Sequence, residues 1–358
     1  MEKVYIIVLN YNGWKDTLEC LESLFKLDTE EFEVVLVDNC SSDESVRMIK
    51  EWAQGTYCPV FGKNKLVENW VGPLAGKPIS YALYQQEDVE QGKISGRGVS
   101  SRGGNGFTFI QARNNLGFAG GNNVGLKYVL ARNDAGHVWI LNNDTVAEKT
   151  SLSFLLEQAR AYQRKNRRVG MIAGKVFFYD RPQVIQGFGG RYNKWLAIGR
   201  HVGAFEEDHG QYDDEEMRFD YVPGSAMLVS TDFIRDVGLM SEEYFLYFEE
   251  MDWTLRGRKR GWEIGYCPKS RIYHKEGASA GTSQKGQERS ALSDYYGMRN
   301  RIVFTRKFYP AALLTVYLSF LVVIYNRIRR GQYGRLKLVW QALCNKWETG
   351  YHISNLYK

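Results

Sequence analysis

The chain has 358 residues, 44% of them hydrophobic and 25% charged, enough to bury a substantial core and ordinary for a globular protein rather than a disordered one. Its five cysteines are scattered, odd in number and without a C-x-x-C pair, which argues against a disulfide framework or zinc site and fits a reducing compartment. The net charge of +6 is lopsided: eleven Lys/Arg against one acid from Tyr295 onward, and 36 basic against 40 acidic side chains before it. That distribution weighs against nucleic-acid binding by the main body and points to an anionic partner for the C-terminal segment.

Residues 4–9 form an apolar run too short for a secretory h-region and read as a first strand. A helix over 14–25 follows, with Leu18, Leu21, Leu24 and Phe25 on one face, then a second strand over 32–37. That strand runs into Asp38-Asn39-Cys40-Ser41-Ser42-Asp43, a polar turn able to cap a helix over 44–52. This βαβ opening places a polar loop at a strand's C-terminal edge, as a nucleotide-binding half-sheet does. The glycine-rich stretch 54–106 breaks the rhythm and reads as a long excursion with a hairpin around 66–84, either a passive insertion or a lid beside a site.

Regularity returns with a strand over 107–111. Arg113 to Asn123 then carries Gly117, Gly120 and Gly121, which let backbone approach a ligand. Asn122 and Asn123 are expected to open a helix over 124–131, leaving free amides as an anion site. No G-x-G-x-x-G follows either early strand, which counts against a dinucleotide-dependent oxidoreductase. Residues 138–141 read as a buried strand that stops at Asn142-Asn143-Asp144. A carboxylate at that edge suits Mg2+ or Mn2+ shared with a phosphate, although the residue types by themselves favour an Asn-Asp turn after a strand.

A helix over 151–164, a strand over 169–178 and a strand-like stretch over 221–230 come next. The cluster Tyr244 to Trp253 then sets Glu249, Glu250 and Asp252 beside five aromatics, leading into a helix over 254–260. Desolvation by such a wall raises a carboxyl pKa toward that of a general base; the same acids also suit a helix N-terminus. His274 ends another strand-like run, as a metal ligand or a satisfied loop histidine. Residues 310–325 are apolar around the whole wheel with basic flanks, which favours a helix on an anionic membrane surface over a buried core or dimerisation helix.

Six segments in this order, VYIIVLNYN (4–12), VVLVDNCSSD (34–43), NLGFAGGNN (115–123), LNNDT (141–145), YFEEMDW (247–253) and His274, resemble the family 2 glycosyltransferases, within them the rhamnosyltransferase-like bacterial and archaeal branch. The resemblance implies a GT-A fold over 1–294, an α/β architecture with a mostly parallel central sheet flanked by helices, followed by a basic helical tail over 295–358. It implies an inverting transfer from a nucleotide-sugar donor, dTDP-rhamnose or a UDP-hexose, to a hydroxyl of a glycan, lipid-linked, at the inner face of the cell membrane. By the same resemblance Glu250 is the catalytic base, with Glu249 and Asp252 as alternatives, and Asp144 and His274 hold Mn2+ or Mg2+. Asn142 stands where the family's first DxD acid would be. Donor contacts are expected from Asn10, Asp38, Asn39, Arg113, Asn115, Gly117, Asn122, Asn142 and Asn143. A hydrolase reading fails because no G-x-S-x-G surrounds Ser225. A non-catalytic nucleotide- or sugar-binding scaffold at the membrane is the remaining alternative.

Overall fold

The apolar runs near residues 4, 32, 107 and 138 all become strands of one sheet in the computed structural model, which describes residues 3–29, 32–60, 70–71, 77–94, 106–275 and 290–344. In chain order the elements are β1 (Lys3–Asn10), α1 (Trp14–Leu24), β2 (Phe32–Asp38), α2 (Ser45–Gln54), β3 (Ala82–Gln85), α3 (Gln86–Glu90), β4 (Gly106–Gln111) and α4 (Gly117–Arg132). They continue as β5 (Ala135–Asn142), β6 (Thr145–Ala147), α5 (Ser151–Arg164), β7 (Val169–Phe178), β8 (Arg181–Gly187), β9 (Gly190–Asn193), β10 (Ile198–His201) and β11 (Ala226–Ser230). The last are α6 (Thr231–Val237), α7 (Glu249–Lys259), β12 (Glu263–His274), α8 (Ala291–Phe308), α9 (Leu313–Arg329) and α10 (Leu336–Leu343).

The main sheet runs β3-β4-β2-β1-β5-β11-β7-β12-β6, with β8 added beside β7. Strands β3, β4, β2, β1 and β5 are parallel, β7 and β12 are parallel, and β11 sits antiparallel between β5 and β7. Burial on both faces explains why these strands read as continuous apolar runs. The side-chain period of two sends Val4, Ile6 and Val8 of β1 toward Leu18 and Leu21 of α1. Tyr5 and Ile7 point the other way, into the layer that holds Val124 and Leu126 of α4 and Phe233 of α6.

Register places the polar strand ends together. Asn10 pairs with Asp38 across β1–β2, and Leu9 with Asn142 across β1–β5. The chain departs from β1 in both directions, so the crevice at these C-terminal ends is the switch point where α/β sheets bind ligands. On the far side, His274 of β12 pairs with Thr145 of β6, which brings its ring beside Asp144.

Several expectations change. The helix expected over 124–131 begins at Gly117, because Asn39 and Asn115 side chains accept the N–H groups of Leu116 and Gly117 and cap it early. Asn122 and Asn123 therefore lie inside a helix rather than at its start. The strand expected over 221–230 is confined to Ala226–Ser230, after Pro223, which has no N–H to offer a ladder. The helix expected over 254–260 starts at Glu249. Of the hairpin expected around 66–84, residues 66–69 and 72–76 lie outside the described residues, and β3 pairs parallel with β4. Residue 295 falls within the continuous helix α8.

Phe233 links α6 to the helix bearing the acidic cluster. It is fully buried, meets Trp253 and Trp262 edge-on, and leaves no room for a Cβ at Gly170 or Gly257. Phe233→Ala is expected to cost about 3–5 kcal/mol in a denaturant titration, the range for emptying a buried aromatic site.

Candidate active site

A cavity of about 310 Å³ opens at the C-terminal edge of the sheet, between the ends of β1, β5 and β12 and the start of α7. Its walls include Asn142, Asn143, Asp144 and His274 from the sheet side and Glu249 and Glu250 from α7.

The loop before α7 is held in an unusual backbone. Phe245, Tyr247 and Phe248 have φ values of 64°, 68° and 76°, a left-handed conformation costly for side chains of this size. Two contacts keep it there. The amide nitrogen of the fully buried Asn300 on α8 lies 2.9, 2.7 and 3.0 Å from the carbonyl oxygens of Tyr244, Leu246 and Tyr247, so its N–H groups are donated to that one turn. On the other side the Phe118 N–H donates to the Phe245 carbonyl at 2.7 Å. A Cβ on Gly117 would lie 2.3 Å from that same carbonyl oxygen, so glycine is required at both its φ of +70° and this close approach.

The clamp aims Glu249 and Glu250 into the cavity. Glu249 is 3% exposed with Oε2 unpartnered, and burial beside the Glu250 charge pushes its carboxyl well above the usual range. Burial raises the Glu250 carboxyl to about 7. Asp252, the third acid, is turned away. It accepts from Tyr244 Oη (2.9 Å) and pairs with Arg256 and with Lys307 of α8, each at 2.6 Å. A carboxylate so neutralised is structural, and it does not line the cavity.

At the sheet edge, Asp144 Oδ1 lies 3.1 Å from His274 Nε2, and Asn142 Nδ2 lies 3.3 Å from the same nitrogen. His274 Nδ1 donates to Gln186 Oε1 at 2.7 Å, which orients the ring with Nε2 toward Asp144 and the cavity. Burial opposes ionisation of Asp144, but the His274 charge and hydrogen bond outweigh it and hold the carboxyl below its usual value. Behind it, Lys275 pairs with Asp16 and Glu19.

The other expected residues divide. Asn39, Asn115, Gly117, Asn142 and Asn143 line the cavity; Asn10, Asp38, Arg113 and Asn122 do not. Asp38 is 2% exposed with its oxygens taken by Asn10 and Ser41, so it builds the shelf that supports Asn39. Arg113 points away to an ion pair with Glu87. Asn122 is buried and donates to the Phe118 carbonyl. The amides expected to form an anion site at the start of this helix are taken by Asn39, Asn115 and Phe245. Gln186 and His201 also line the cavity and carried no sequence signal, lying in an irregular stretch without periodicity.

The clamp yields a direct test. Asn300→Ala removes the donors to three carbonyls of a strained turn, and a shift of the following carboxylates by about 1 Å is expected to lower kcat about 100-fold. Donor affinity by calorimetry is expected to stay near wild type, because Asn300 is not among the cavity-lining residues. Unchanged kcat would show that the turn holds without it.

Comparison with known proteins agrees with this architecture. Residues 5–69 match the model of glycosyl transferase family 2, and residues 99–293, more than half the chain, match that of glycosyltransferase-like family 2. The gap between the two falls within the 54–106 excursion. The chain is 21% identical over 207 residues to the low-salt glycan biosynthesis hexosyltransferase Agl10 of Haloferax volcanii, covering 57% of this chain and 62% of that protein. It is 39% identical over 89 residues to the poly(ribitol-phosphate) beta-N-acetylglucosaminyltransferase TarS of Staphylococcus aureus, covering 24% of this chain and 15% of that protein. The chain thus spans less than two thirds of the length of these curated relatives. Among solved structures it is similar to GalNAc-T7 with UDP, GalNAc and Mn2+, at TM-score 0.50 and 14% identity over 84% of this chain and 47% of that one, a likeness of fold. With its mostly parallel sheet, its switch-point cavity and these matches, the chain has the GT-A fold and belongs to the family 2 glycosyltransferases.

Proposed function

We propose that this protein is an inverting, metal-assisted glycosyltransferase. It moves a sugar from a nucleoside diphosphate donor, dTDP-rhamnose or a UDP-hexose, to a hydroxyl of a lipid-linked glycan. The observation that carries the reading is one cavity lined both by an Asp–His pair at the sheet edge and by carboxyls of raised pKa on α7.

The site's residues fit a divalent cation. Asp144 offers a carboxylate oxygen and His274 a ring nitrogen 3.1 Å apart, with the Asn142 side chain beside them. No cluster of three or more His, Cys, Asp or Glu able to hold a metal occurs among the described residues. That sparse set suits Mg2+ or Mn2+, which complete their shell with substrate phosphates and water. When bound, such an ion offsets the negative charge that develops on the departing diphosphate.

The chain's own residues supply the rest. Glu250, poised near neutrality, accepts the proton of the acceptor hydroxyl as its oxygen attacks the anomeric carbon. The bond to the diphosphate oxygen breaks as the new glycosidic bond forms, and this single displacement inverts the anomeric carbon. Burial and the neighbouring Glu250 charge push the Glu249 carboxyl well above its usual range, which disfavours a second negative charge facing the base. Phe118, Phe245 and Leu292 give the cavity an apolar part of its wall. The relatives' names support sugar transfer in glycan assembly, and the basic tail supports placement on the anionic cytoplasmic leaflet.

Two outcomes are expected. With UDP-, dTDP- and GDP-sugars in Mn2+, Mg2+ or EDTA, one donor releases nucleoside diphosphate only with metal. Asp144→Ala lowers that release by about 100-fold or more without changing the melting temperature greatly. Full activity in Asp144→Ala would remove it from the mechanism. Because the base must be ionised, kcat/KM is expected to rise about tenfold per pH unit below about 7 and level above it. Glu250→Gln abolishes transfer while donor binding persists; lost donor binding would make Glu250 structural.

A further inference from the structure

We propose that the tip of the β9–β10 hairpin and the outer face of α9 form one surface that seats on an anionic lipid bilayer and sets the mouth of the cavity beside it. The inference rests on the membrane placement of the tail given above and adds to it a second element, from the middle of the chain, that the tail alone does not supply.

The residues 310–329 are long and apolar enough by composition to cross a membrane, with a mean hydropathy of 1.7. Their packing is one-sided instead. Val316 and Phe320 are buried against Met298 and Ile302 of α8 and Leu338 and Val339 of α10. The other face carries Leu314, Leu318, Leu321, Val322, Tyr325 and Ile328, each 46–70% exposed. Their spacing of three and four residues makes a single stripe. A helix that seats one face on protein and shows an apolar stripe on the other is built to lie in an interface rather than to be surrounded by lipid.

The hairpin continues that stripe. Thr315 donates to the Trp195 carbonyl at 2.6 Å, and Arg301 reaches both the Leu196 carbonyl (2.7 Å) and Ser319 (2.6 Å), so the tip is fastened to α8 and α9. Ala197 has a φ of +52° and is buried in the core shared with α8, α9 and α10. That left-handed turn sends Ala197 inward and leaves Trp195, Leu196 and Ile198 41–50% exposed around it. Of the fourteen large hydrophobic side chains exposed among the described residues, eleven lie on this tip or between residues 314 and 340. So concentrated a patch marks an interaction surface.

Charge selects the occupant. The hairpin carries Arg191, Lys194 and Arg200 and no acid, and residues 295–343 contain no acid at all. Arg329, Arg330 and Lys337 are exposed along the same segment. Apolar side chains with tryptophan and tyrosine among them, bordered by unopposed cations, match the headgroup region of an anionic leaflet. A second copy of the chain would set these cations against each other. The placement has a consequence for the acceptor. Strand β10 runs from the exposed Ile198 to His201 on the cavity wall, three residues or about 10 Å. A hydroxyl carried on a lipid anchored in that leaflet then starts beside the cavity whose wall His201 and Glu250 share.

The test uses the full chain and phosphatidylcholine vesicles with or without phosphatidylglycerol. Wild type is expected to pellet only with the anionic vesicles. Trp195→Glu with Leu196→Glu on the hairpin, and separately Leu318→Glu with Val322→Glu on α9, are each expected to weaken binding about tenfold or more. Lys194→Glu, a milder change at an exposed position, shifts it in the same direction. Hairpin variants that pellet like wild type would overturn the proposal, as would a protein that ignores vesicles and forms a dimer that these substitutions dissociate. Donor calorimetry on the same samples is a separate readout, so a wild type that pellets but binds no donor counts against the transferase reading alone.

Discussion

Three aromatic residues held in left-handed backbone, Phe245, Tyr247 and Phe248, are the constraint on which the site depends. Such a turn does not persist by itself; it persists because Asn300 donates to one side of it and the start of α4 to the other. The glycine at 117 answers the same geometry, since a side chain there would occupy the Phe245 carbonyl. The turn fixes the start of α7, and the start of α7 decides which acids face the cavity. Two of three do, and the third is consumed by Arg256 and Lys307.

The carboxyls of one cavity are driven in opposite directions by their surroundings. Asp144 is held below its usual pKa by His274, whereas Glu249 and Glu250, without a cation, are raised by burial. Divergent environments of this kind suit similar side chains to different parts, as the proposed function assigns them: an ionised ligand at the sheet edge and a proton acceptor on the helix. Gln186 contributes at one remove by orienting the His274 ring. Its place on β8, beside β7, explains why a strand outside the main order of the sheet belongs to the site.

The C-terminal segment serves two ends at once. Helix α8 supplies Asn300 to the left-handed turn, Lys307 to Asp252 of α7 and Leu292 to the cavity wall, while its other contacts seat α9 and α10. The elements that hold the left-handed turn and those that carry the apolar face are therefore packed in one unit. Tyr192 of the hairpin meets Phe248 and Phe304 in that same cluster, so the hairpin, the tail and the turn share a core.

Much of this protein was legible in its sequence because the signals are local. Short continuous apolar runs marked the strands, the position of Asp144 at a strand end followed from where the run stopped, and the crowding of acids and aromatics at 244–253 marked the helix that lines the cavity. Local signals also misplaced what depends on partners far along the chain. Asn122 sits inside a helix because Asn39 and Asn115, distant or upstream, cap it earlier, and Arg113 turns to Glu87 across the excursion. Asp252 has Arg256 at i+4 as a local partner, but only the packing of α8 brings Lys307 to complete its neutralisation. Gln186, His201 and Asn300 carry no motif because their roles arise from which surface each happens to meet. The sequence by itself determined the sheet, its polar edge and the chemistry available there; the tertiary structure decided which side chains reach the cavity, since that depends on contacts between residues tens to hundreds of positions apart.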